Sequence, residues 1–308
     1  MKEITLFPDD NISDAVRKAG AYTRVILSEG IYRQKTEISV PYIELVGADA
    51  DKTVIVNDDY AKKIHEDGKE YNTFRTYTLA VLAPHVSLRG LTVENDSLRP
   101  DEKGQEVALT VYAEDFYAEN CKFLSTQDTV FCGPLPHDLI ERYDGFLKHE
   151  LRRDISSVQI YKNCYIAGTV DFIFGCGDAL FEDCEIKSLY DVRKCGYAAA
   201  PAHAKEQETG FVFDRCRFTC GERVGDGEIY LARPWRDYGK ASFINCTYGR
   251  HISPLGFDKW NDTDRDKTAR FAEYGTTHEK RVPWSRMLSE SEKDILLDRF
   301  HISDQGSL

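Results

Sequence analysis

The sequence lacks both a basic surplus and long apolar runs. It has 40 lysines and arginines against 52 aspartates and glutamates, which gives a formal net charge of −12. Nucleic-acid binding needs cationic side chains that neutralise phosphates, so we expect no nucleic-acid partner. No stretch approaches the roughly 18 apolar residues that a membrane span requires, so we expect no membrane partner. The acidic composition favours a neutral substrate, or one whose acid groups are masked.

The start of the chain also lacks the apolar segment of a secretory signal. Met1 to Ile4 is followed closely by the polar stretch Pro8 to Asn11, which interrupts any continuous hydrophobic region. We therefore expect a cytoplasmic protein. The alternative is a secreted protein whose signal has been removed.

Paired cysteine motifs are absent as well. The chain has nine cysteines, an odd number, and none of them form a CxxC pair. We therefore expect no zinc site. A chain of 308 residues can bury a large core, so it does not need a disulfide framework.

The chain does contain a short pattern that recurs around five cysteines. Each copy alternates with period two, is apolar at the cysteine and two residues later, and so predicts a short strand. The copies are Phe116–Phe123, Tyr161–Ile166, Phe181–Ile186, Phe213–Phe218 and Phe243–Tyr248. Their cysteines follow one another at intervals of 43, 20, 32 and 30 residues. Short strands that return in this way, without long helices between them, are typical of a solenoid.

Other segments fit the same solenoid. Further strand candidates are Val25–Leu27, Ile43–Gly47, Thr53–Val56 and Val86–Val93. A short amphipathic helix is predicted after Asn11, and a second helix is predicted from Ser289 to Phe300; such elements close the ends of a stack. We expect the cysteines to form a stacked internal ladder in which they act as small apolar residues. Free thiols of this kind fit a reducing compartment.

Two aspartates occupy the same phase of the repeat. Asp128 and Asp171 each follow a pattern cysteine by seven residues, so on adjacent coils they would lie about one inter-strand spacing, roughly 4.8 Å, apart. Two carboxyls this close do not ionise equally, which suits a nucleophile beside a general acid. Turn aspartates also cap loops, and Asp191 has the same phase. Phase alone therefore leaves both interpretations open.

The neighbours of the two aspartates favour a catalytic pair. Gln127 precedes Asp128 and offers an amide donor for a developing oxyanion. Asp171 lies within the apolar segment Gly168–Gly175. Further along, Arg233-Pro234-Trp235 supplies a guanidinium that can hold a carboxylate and a ring on which a sugar can stack.

These motifs resemble those of the pectin methylesterase (pectinesterase) family, and the match extends over nearly the whole chain. It includes Gly104–Leu109, Gln127–Phe131, Gly168–Gly175, Leu231–Trp235 and Pro254–Trp260. The resemblance implies an all-β, right-handed parallel β-helix forming a single domain over residues 1–308, with no metal or organic cofactor. The implied reaction removes methyl groups from methyl-esterified galacturonan or its oligomers and releases methanol. A monomer is the default expectation for a capped β-helix.

The resemblance also implies a role for each matched residue. Asp171 is the nucleophile, Asp128 is the general acid and then the general base, Gln127 stabilises the oxyanion, and Arg233 orients Asp171 and keeps it ionised. The implied substrate contacts are Gln105, Thr78, Phe174, Trp235 and Trp260. The sequence departs from the family at Phe131, where a tyrosine is usual.

A second departure is the interval between the two aspartates, which is about twice the family's usual one. The extra residues form an insert at about 132–154 that adjoins the active-site coil at both ends. We expect a loop that overhangs the groove. Its basic end, Lys148 to Arg153, would hold a galacturonate carboxylate, and its bulk would favour short oligomers. The alternative is a surface decoration.

Two rival functions remain open. A β-helix glycoside hydrolase is one, because two carboxylates about 5 Å apart also suit retaining glycosidases. A β-helix that only binds polysaccharide is the other, although the presence of all four catalytic-type residues argues against it.

Overall fold

The structure is a computed structural model that describes residues 1–97 and 104–304, with side chains described as far as residue 300. Up to residue 97 the strands are β1 (Lys2–Leu6), β2 (Thr23–Leu27), β3 (Gly30–Arg33), β4 (Thr36–Ile38), β5 (Ile43–Gly47), β6 (Thr53–Asn57), β7 (Leu79–Val81), β8 (Val86–Arg89) and β9 (Thr92–Asn95). From residue 104 to residue 188 they are β10 (Leu109–Val111), β11 (Asp115–Glu119), β12 (Lys122–Leu124), β13 (Val130–Cys132), β14 (Val158–Lys162), β15 (Tyr165–Gly168), β16 (Val170–Gly175), β17 (Asp178–Glu182) and β18 (Glu185–Ser188).

The remaining strands lie in the C-terminal third. They are β19 (Gly196–Pro201), β20 (Phe211–Asp214), β21 (Arg217–Cys220), β22 (Ile229–Ala232), β23 (Lys240–Ile244), β24 (Thr247–Tyr248), β25 (Arg270–Tyr274) and β26 (Arg286–Met287). The α-helices are α1 (Ile12–Ala19), α2 (His137–Arg142) and α3 (Glu290–Asp304), and short 3-10 turns occur at Thr73–Arg75, His149–Arg152 and Arg265–Lys267. Among the described residues, no helix has both the length and the apolar character that crossing a bilayer demands.

The strands stack into three parallel sheets, so the predicted right-handed parallel β-helix is confirmed. The first sheet has the order β1-β2-β5-β8-β11-β14-β17-β20-β23-β25-β26, the second has β3-β6-β9-β12-β15-β18-β21-β24, and the third has β4-β7-β10-β13-β16-β19-β22. Each coil contributes successive strands to the three sheets. A side chain therefore lies next to the residues at the equivalent positions of the preceding and the following coil.

Each cysteine pattern forms two strands, not the single strand that its alternation predicted. The residue before the cysteine has a left-handed backbone, which turns the chain from the first sheet into the second. These corner residues are Asn120, Asn163, Asp183, Arg215 and Asn245, with φ between 50° and 54°. Asparagine and aspartate adopt this conformation more readily than other non-glycine residues. The candidate strand Val86–Val93 is divided in the same way, at Gly90.

The interior of the solenoid contains the cysteine ladder that was predicted. Residues directly after the five cysteines pair row by row in the second sheet, and the five thiols are buried. Beside them the rings of Tyr161, Phe181, Phe213 and Phe243 stack with successive centroids 4.8 Å apart. That distance is the spacing of parallel strands. All nine cysteines lie within the described residues, and all are free thiols.

One terminal helix covers the first coil, whereas the other packs on the side of the stack and does not close its end as predicted. Helix α1 begins after Asn11, whose side chain accepts a hydrogen bond from the backbone N–H of Asp14 at 2.9 Å, and it buries Ile12 and Val16 on the first coil. Helix α3 buries Leu296 and Phe300 against the outer face of the first sheet. Both helices were predicted, and α3 extends four residues beyond the predicted end.

The insert between β13 and β14 is a folded loop. It contains α2 and the turn His149–Arg152, and it carries four buried leucines: Leu135, Leu139, Leu147 and Leu151. These leucines join an apolar cluster with Phe74, Phe131 and Phe174 on the outer side of the third sheet. The insert therefore packs on the sheet that bears the catalytic-type residues.

The corner asparagines generate a prediction about stability. Asn163 donates a hydrogen bond from Nδ2 to Oδ1 of Asn120 at 2.5 Å. We expect Asn163→Ala to lower the thermal midpoint, because a left-handed alanine costs roughly 1–2 kcal/mol and the side-chain bond is lost. Asn163→Gly keeps the backbone freedom and should lower the midpoint less. Equal losses in thermal melts of the two variants would contradict this account of the corner.

Candidate active site

Asp171 lies on β16, and Asp128 lies two residues before β13, the neighbouring strand of the third sheet. Val130 pairs with Ile173 and Phe131 with Phe174, and the same register carried two residues back places Asp128 beside Asp171. The backbone N–H of Asp128 donates to the carbonyl oxygen of Val170 at 3.1 Å, which agrees with that register. The predicted equal register on adjacent coils is therefore observed.

The backbone around both aspartates is locally distorted. Asp128 has φ +67° and Asp171 has φ +51°, a region that non-glycine residues rarely occupy and that is found at functional sites. The pairing of β16 with β19 also shifts register between Val170 and Ile173. Bulges of this kind re-aim side chains, so Asp171 leaves the regular alternation of its strand.

Glycine is required close to Asp171. A Cβ at Gly168 would lie 2.2 Å from the Cβ of Phe172, and a Cβ at Gly175 would lie 2.0 Å from the carbonyl oxygen of Cys132. Neither neighbour can move without shifting a strand. Gly168 therefore allows the corner between β15 and β16 to lie close to Phe172, and Gly175 allows the end of β16 to lie against β13.

Arg233 grips Asp171 through both carboxylate oxygens. Its Nε donates to Oδ1 at 2.8 Å and its Nη2 donates to Oδ2 at 2.6 Å. Both side chains are largely buried, with 13% of Arg233 and 10% of Asp171 exposed. A bidentate pair in a dry setting is a strong charge-assisted contact that fixes the orientation of the carboxylate.

The two carboxyls have different electrostatic surroundings. Burial raises the pKa of Asp128 well above its ordinary value, and the nearby charge of Asp171 raises it further. Burial also raises the pKa of Asp171, but the hydrogen bonds and the charge of Arg233 oppose that rise. The pair can therefore hold one proton on Asp128 and one negative charge on Asp171.

Gln127 meets a residue that sequence reasoning missed. Arg193 reaches the Oε1 atom of Gln127 with Nη2 at 3.3 Å and Nη1 at 3.4 Å. The oxygen of Gln127 is engaged by Arg193, and its amide lies close enough to Asp128 to oppose the rise in the pKa of that carboxyl. Gln127 therefore offers donors beside the acid, the arrangement needed to stabilise an oxyanion.

The third aspartate in phase has a different setting. Asp191 accepts from Arg193 with Oδ1–Nε 2.7 Å and Oδ2–Nη2 2.6 Å. Burial alone would raise the pKa of Asp191, but the hydrogen bonds from Arg193 outweigh it and lower the pKa. Asp191 is thus an anchor for Arg193. The phase relation that marked Asp191 was the signal that could have led to Arg193, two residues later.

The predicted substrate contacts fall into different places. Thr78 is fully buried and donates its hydroxyl to the carbonyl oxygen of Glu94 at 2.9 Å, so it does not reach the groove surface. Phe174 is 3% exposed and lies in the apolar cluster beneath the insert. Gln105 is partly exposed, and the hydrogen bond from Glu106 N–H to the carbonyl oxygen of Gln127 places it on the coil next to that glutamine.

The two tryptophans are partly exposed, and both have close neighbours. The ring of Trp235 lies 5.8 Å from that of Phe174 and 6.4 Å from that of Phe74. The ring of Trp260 lies 3.9 Å from the guanidinium carbon of Arg233. The substrate-binding roles of both residues stay predictions.

The basic end of the insert differs from expectation. Lys148 pairs with Glu37, Arg152 pairs with Asp144 at 2.6 Å, and Arg153 donates to the carbonyl oxygen of Tyr112 at 2.6 Å. These cations hold the insert to itself and to the neighbouring coils. They are not presented to a substrate carboxylate in this structure, because protein acceptors already occupy them.

The surroundings of Phe131 explain why a phenylalanine stands at this position. It is 1% exposed, and its ring lies 5.1 Å from Phe74 and 5.0 Å from Phe174. Covered by the insert, it packs in an apolar setting where a tyrosine hydroxyl would need a partner.

Within the described ranges, no group of three or more histidine, cysteine, aspartate or glutamate side chains is arranged to hold a metal ion.

The comparisons with known proteins identify this parallel β-helix as a carboxylic ester hydrolase. The sequence model of the pectinesterase family matches residues 9–134 and 151–300. The chain therefore belongs to the pectinesterase family. The unmatched stretch between the two matched segments falls inside the insert.

Individual relatives agree with the family assignment. The pectinesterase QRT1 of Arabidopsis thaliana is 32% identical over 297 residues, which cover 92% of this chain and 70% of the relative. Pectinesterase 31 of the same plant is 32% identical over 284 residues, covering 88% and 80%.

Solved structures share the fold. The pectin methylesterase from Yersinia enterocolitica superposes with a TM-score of 0.79 at 23% identity, covering 94% of this chain and 98% of its own. A pectin methylesterase in complex with a hexasaccharide superposes with a TM-score of 0.77 at 24% identity, covering 92% and 90%.

The buried acid generates a prediction about stability. A carboxyl with a raised pKa keeps its proton in the folded state after the unfolded chain has lost it, so stability falls as pH rises above about 4. We expect Asp128→Asn, which cannot ionise, to be more stable than the parent at pH 7 by at least about 1 kcal/mol.

The difference should vanish near pH 3, where the unfolded carboxyl is also protonated. Thermal melts at several pH values measure it, with the exposed Asp9→Asn as the matched control. If the variant is no more stable than the parent at pH 7, then the raised pKa of Asp128 does not reduce the stability of the folded protein at that pH.

Proposed function

We propose that the protein hydrolyses the methyl esters of galacturonate residues in pectin or its oligomers and releases methanol. The observation that carries this proposal is the arrangement of Asp171, held by both oxygens on Arg233, beside an Asp128 whose pKa burial raises well above its usual value. Membership of the pectinesterase family and the oligosaccharide complex of a structural neighbour support the choice of substrate.

The proposed first step forms an acyl-enzyme. A carboxylate oxygen of Asp171 attacks the C6 ester carbonyl, and the developing oxyanion accepts hydrogen bonds from the amide of Gln127. As the intermediate collapses, the C6–OCH₃ bond breaks and Asp128 gives its proton to the departing methanol. The products are methanol, an ionised Asp128 and an anhydride between C6 and Asp171.

The second step restores the enzyme. Asp128, now a carboxylate, accepts a proton from a water molecule whose oxygen attacks the anhydride carbonyl. The bond between C6 and the Asp171 oxygen breaks, which leaves an ionised Asp171, a protonated Asp128 and a C6 carboxylic acid that then loses its proton to solvent. Arg233 balances that charge in both resting and final states, so Asp171 is ready for another cycle.

We also propose that the insert narrows the groove and favours short oligomers over polymer. Asp138 in α2 pairs with Arg236 at 2.8 Å, while the hydroxyl of Tyr143 donates to Asn72 at 3.1 Å. Arg75 stacks on Phe146, with its guanidinium carbon 3.7 Å from the ring centroid. These contacts tie the insert to coils on both sides of the catalytic pair.

A cytoplasmic location and a monomeric state complete the proposal. Free thiols throughout the core fit a reducing compartment. Helix α1 covers the first coil, the end by which a solenoid otherwise stacks on a second copy.

The reaction is tested by product analysis. Incubation with highly methylated pectin and with methylated oligomers should yield methanol, with no new reducing ends and no unsaturated products. Asp171→Asn should reduce methanol release by at least about 10³-fold, because the amide is not a nucleophile. New reducing ends without methanol would instead identify a glycoside hydrolase, and binding without any product would identify a binding protein.

The insert is tested by the ratio of rates on polymer and on a methylated trimer. Replacing residues 135–150 by a short Gly-Ser linker should raise that ratio roughly 10-fold, about 1.4 kcal/mol. Asp138→Asn loosens only one tie and should raise the ratio less. Asp144→Asn, which breaks a pair inside the insert, is the matched control. An unchanged ratio in a folded deletion variant would show that the insert is a surface decoration.

A further inference from the structure

We propose that Tyr197 and Trp260 are positioning residues that clamp the guanidinium of Arg233 between their rings and so keep it aligned on Asp171. The inference rests on the proposed function and deepens it. It gives Trp260 a role other than the sugar platform that the family resemblance implied, and it adds Tyr197, which no sequence signal marked.

The contact geometry is that of a sandwich. The guanidinium carbon of Arg233 lies 3.8 Å from the ring centroid of Tyr197 and 3.9 Å from that of Trp260. Two rings this close cannot share one face of a small planar group, so they lie on opposite faces. Guanidinium groups stack on aromatic rings in this way, with electrostatic attraction to both faces.

The sandwich leaves the edge of the guanidinium free for Asp171. The donors Nε and Nη2 lie in the plane of the group and point at the two carboxylate oxygens. A ring on each face opposes tilting of that plane, which would lengthen one of the two hydrogen bonds. The aromatic pair therefore protects the bidentate geometry without touching Asp171.

Tyr197 is itself held rigidly. It lies on β19, pairs with Tyr230 of β22, and stacks on that ring at 5.5 Å with an interplanar angle of 16°. Only 9% of Tyr197 is exposed. Its ring is thus fixed by the sheet, and the clamp on this side does not depend on a loop.

Trp260 is held by a tight turn and by a second arginine. Its backbone has φ +73°, and its N–H donates to Oδ1 of Asp258 at 2.7 Å. The guanidinium carbon of Arg265 lies 5.6 Å from the Trp260 ring, and Arg265 is anchored on the carbonyl oxygen of Pro234 at 3.1 Å. Arg233 therefore occupies one face of the Trp260 ring, and Arg265 lies near the same ring.

The clamp matters because Asp171 must stay ionised in a buried site. The charged groups that face Asp171 are Asp128, Arg193, Arg233 and Asp258. Among the causes that oppose the effect of burial on the pKa of Asp171, the hydrogen bonds from Arg233 are the largest. A tilted Arg233 would weaken them, and the pKa of Asp171 would then rise further.

The test compares Trp260→Leu and Tyr197→Leu with Trp260→Phe and Tyr197→Phe. If the rings clamp Arg233, the leucine variants should lose roughly 10-fold in kcat, about 1.4 kcal/mol, while KM stays near the parent value. The acid limb of the kcat/KM profile should move to higher pH, because Asp171 must lose its proton to act. The phenylalanine variants keep a ring and should recover most of kcat.

A sugar platform gives the opposite pattern. In that case Trp260→Leu raises KM while kcat and the acid limb stay unchanged, and this outcome would overturn the proposal. Phenylalanine variants as impaired as the leucine variants would also overturn it, because ring stacking would then not be the cause. Thermal melts identify any variant whose loss reflects unfolding.

A second measurement needs no substrate. Carboxyl ¹³C NMR titration, with the Asp171 signal assigned from Asp171→Asn, should show a higher pKa for Asp171 in Trp260→Leu than in Trp260→Phe. If the parent released no methanol, the proposed function would fail while this titration still tested the clamp. Equal Asp171 pKa values in the two variants would refute the clamp itself.

Discussion

The parallel hydrogen-bonded ladder between coils decides which side chains meet. Because neighbouring strands lie about 4.8 Å apart and in register, a residue type repeated at one phase becomes a column. Inside the solenoid this gives the stacked rings of Tyr161, Phe181, Phe213 and Phe243 and the buried cysteines beside them. Outside, the same ladder sets Asp128 against Asp171. Core packing and catalysis therefore depend on one register, and a slip of one residue would disrupt both.

Two carboxyls in one column repel each other when both are ionised, and the site stabilises the two in different protonation states. Arg233 gives Asp171 a cation and two donors, whereas Asp128 has burial and a neighbouring charge that favour its protonated form. The difference between the two environments is what separates a nucleophile from an acid. Arg193 contributes on the other side by occupying the oxygen of Gln127. Stability is given up here for function, as is common at sites that hold strained or buried polar groups.

Structural features that repeat along the chain could be predicted from the sequence, whereas features that occur only once could not. Periodicity predicted the solenoid, the cysteine ladder and the opposed aspartates, because each follows from equal phase on successive coils. It did not show that the residue before each cysteine forms a corner, since two-residue alternation continues across the bend at Asn120 or Asn163. Tyr197 could not be recognised either, because its partner Arg233 lies on a loop after β22 and no local pattern connects the two. The basic residues of the insert misled for a related reason: their charge was visible, but Glu37 and the other acceptors that neutralise it lie far away in the chain.

The insert also limits how far family roles transfer to individual side chains. It adds four buried leucines over the third sheet, and these share one apolar cluster with Phe131 and Phe174. Trp260 is engaged by Arg233, and Trp235 packs toward Phe74 and Phe174. A side chain's availability to a substrate depends on all its neighbours and not on its motif, so the motif alone does not settle the role of these aromatic residues.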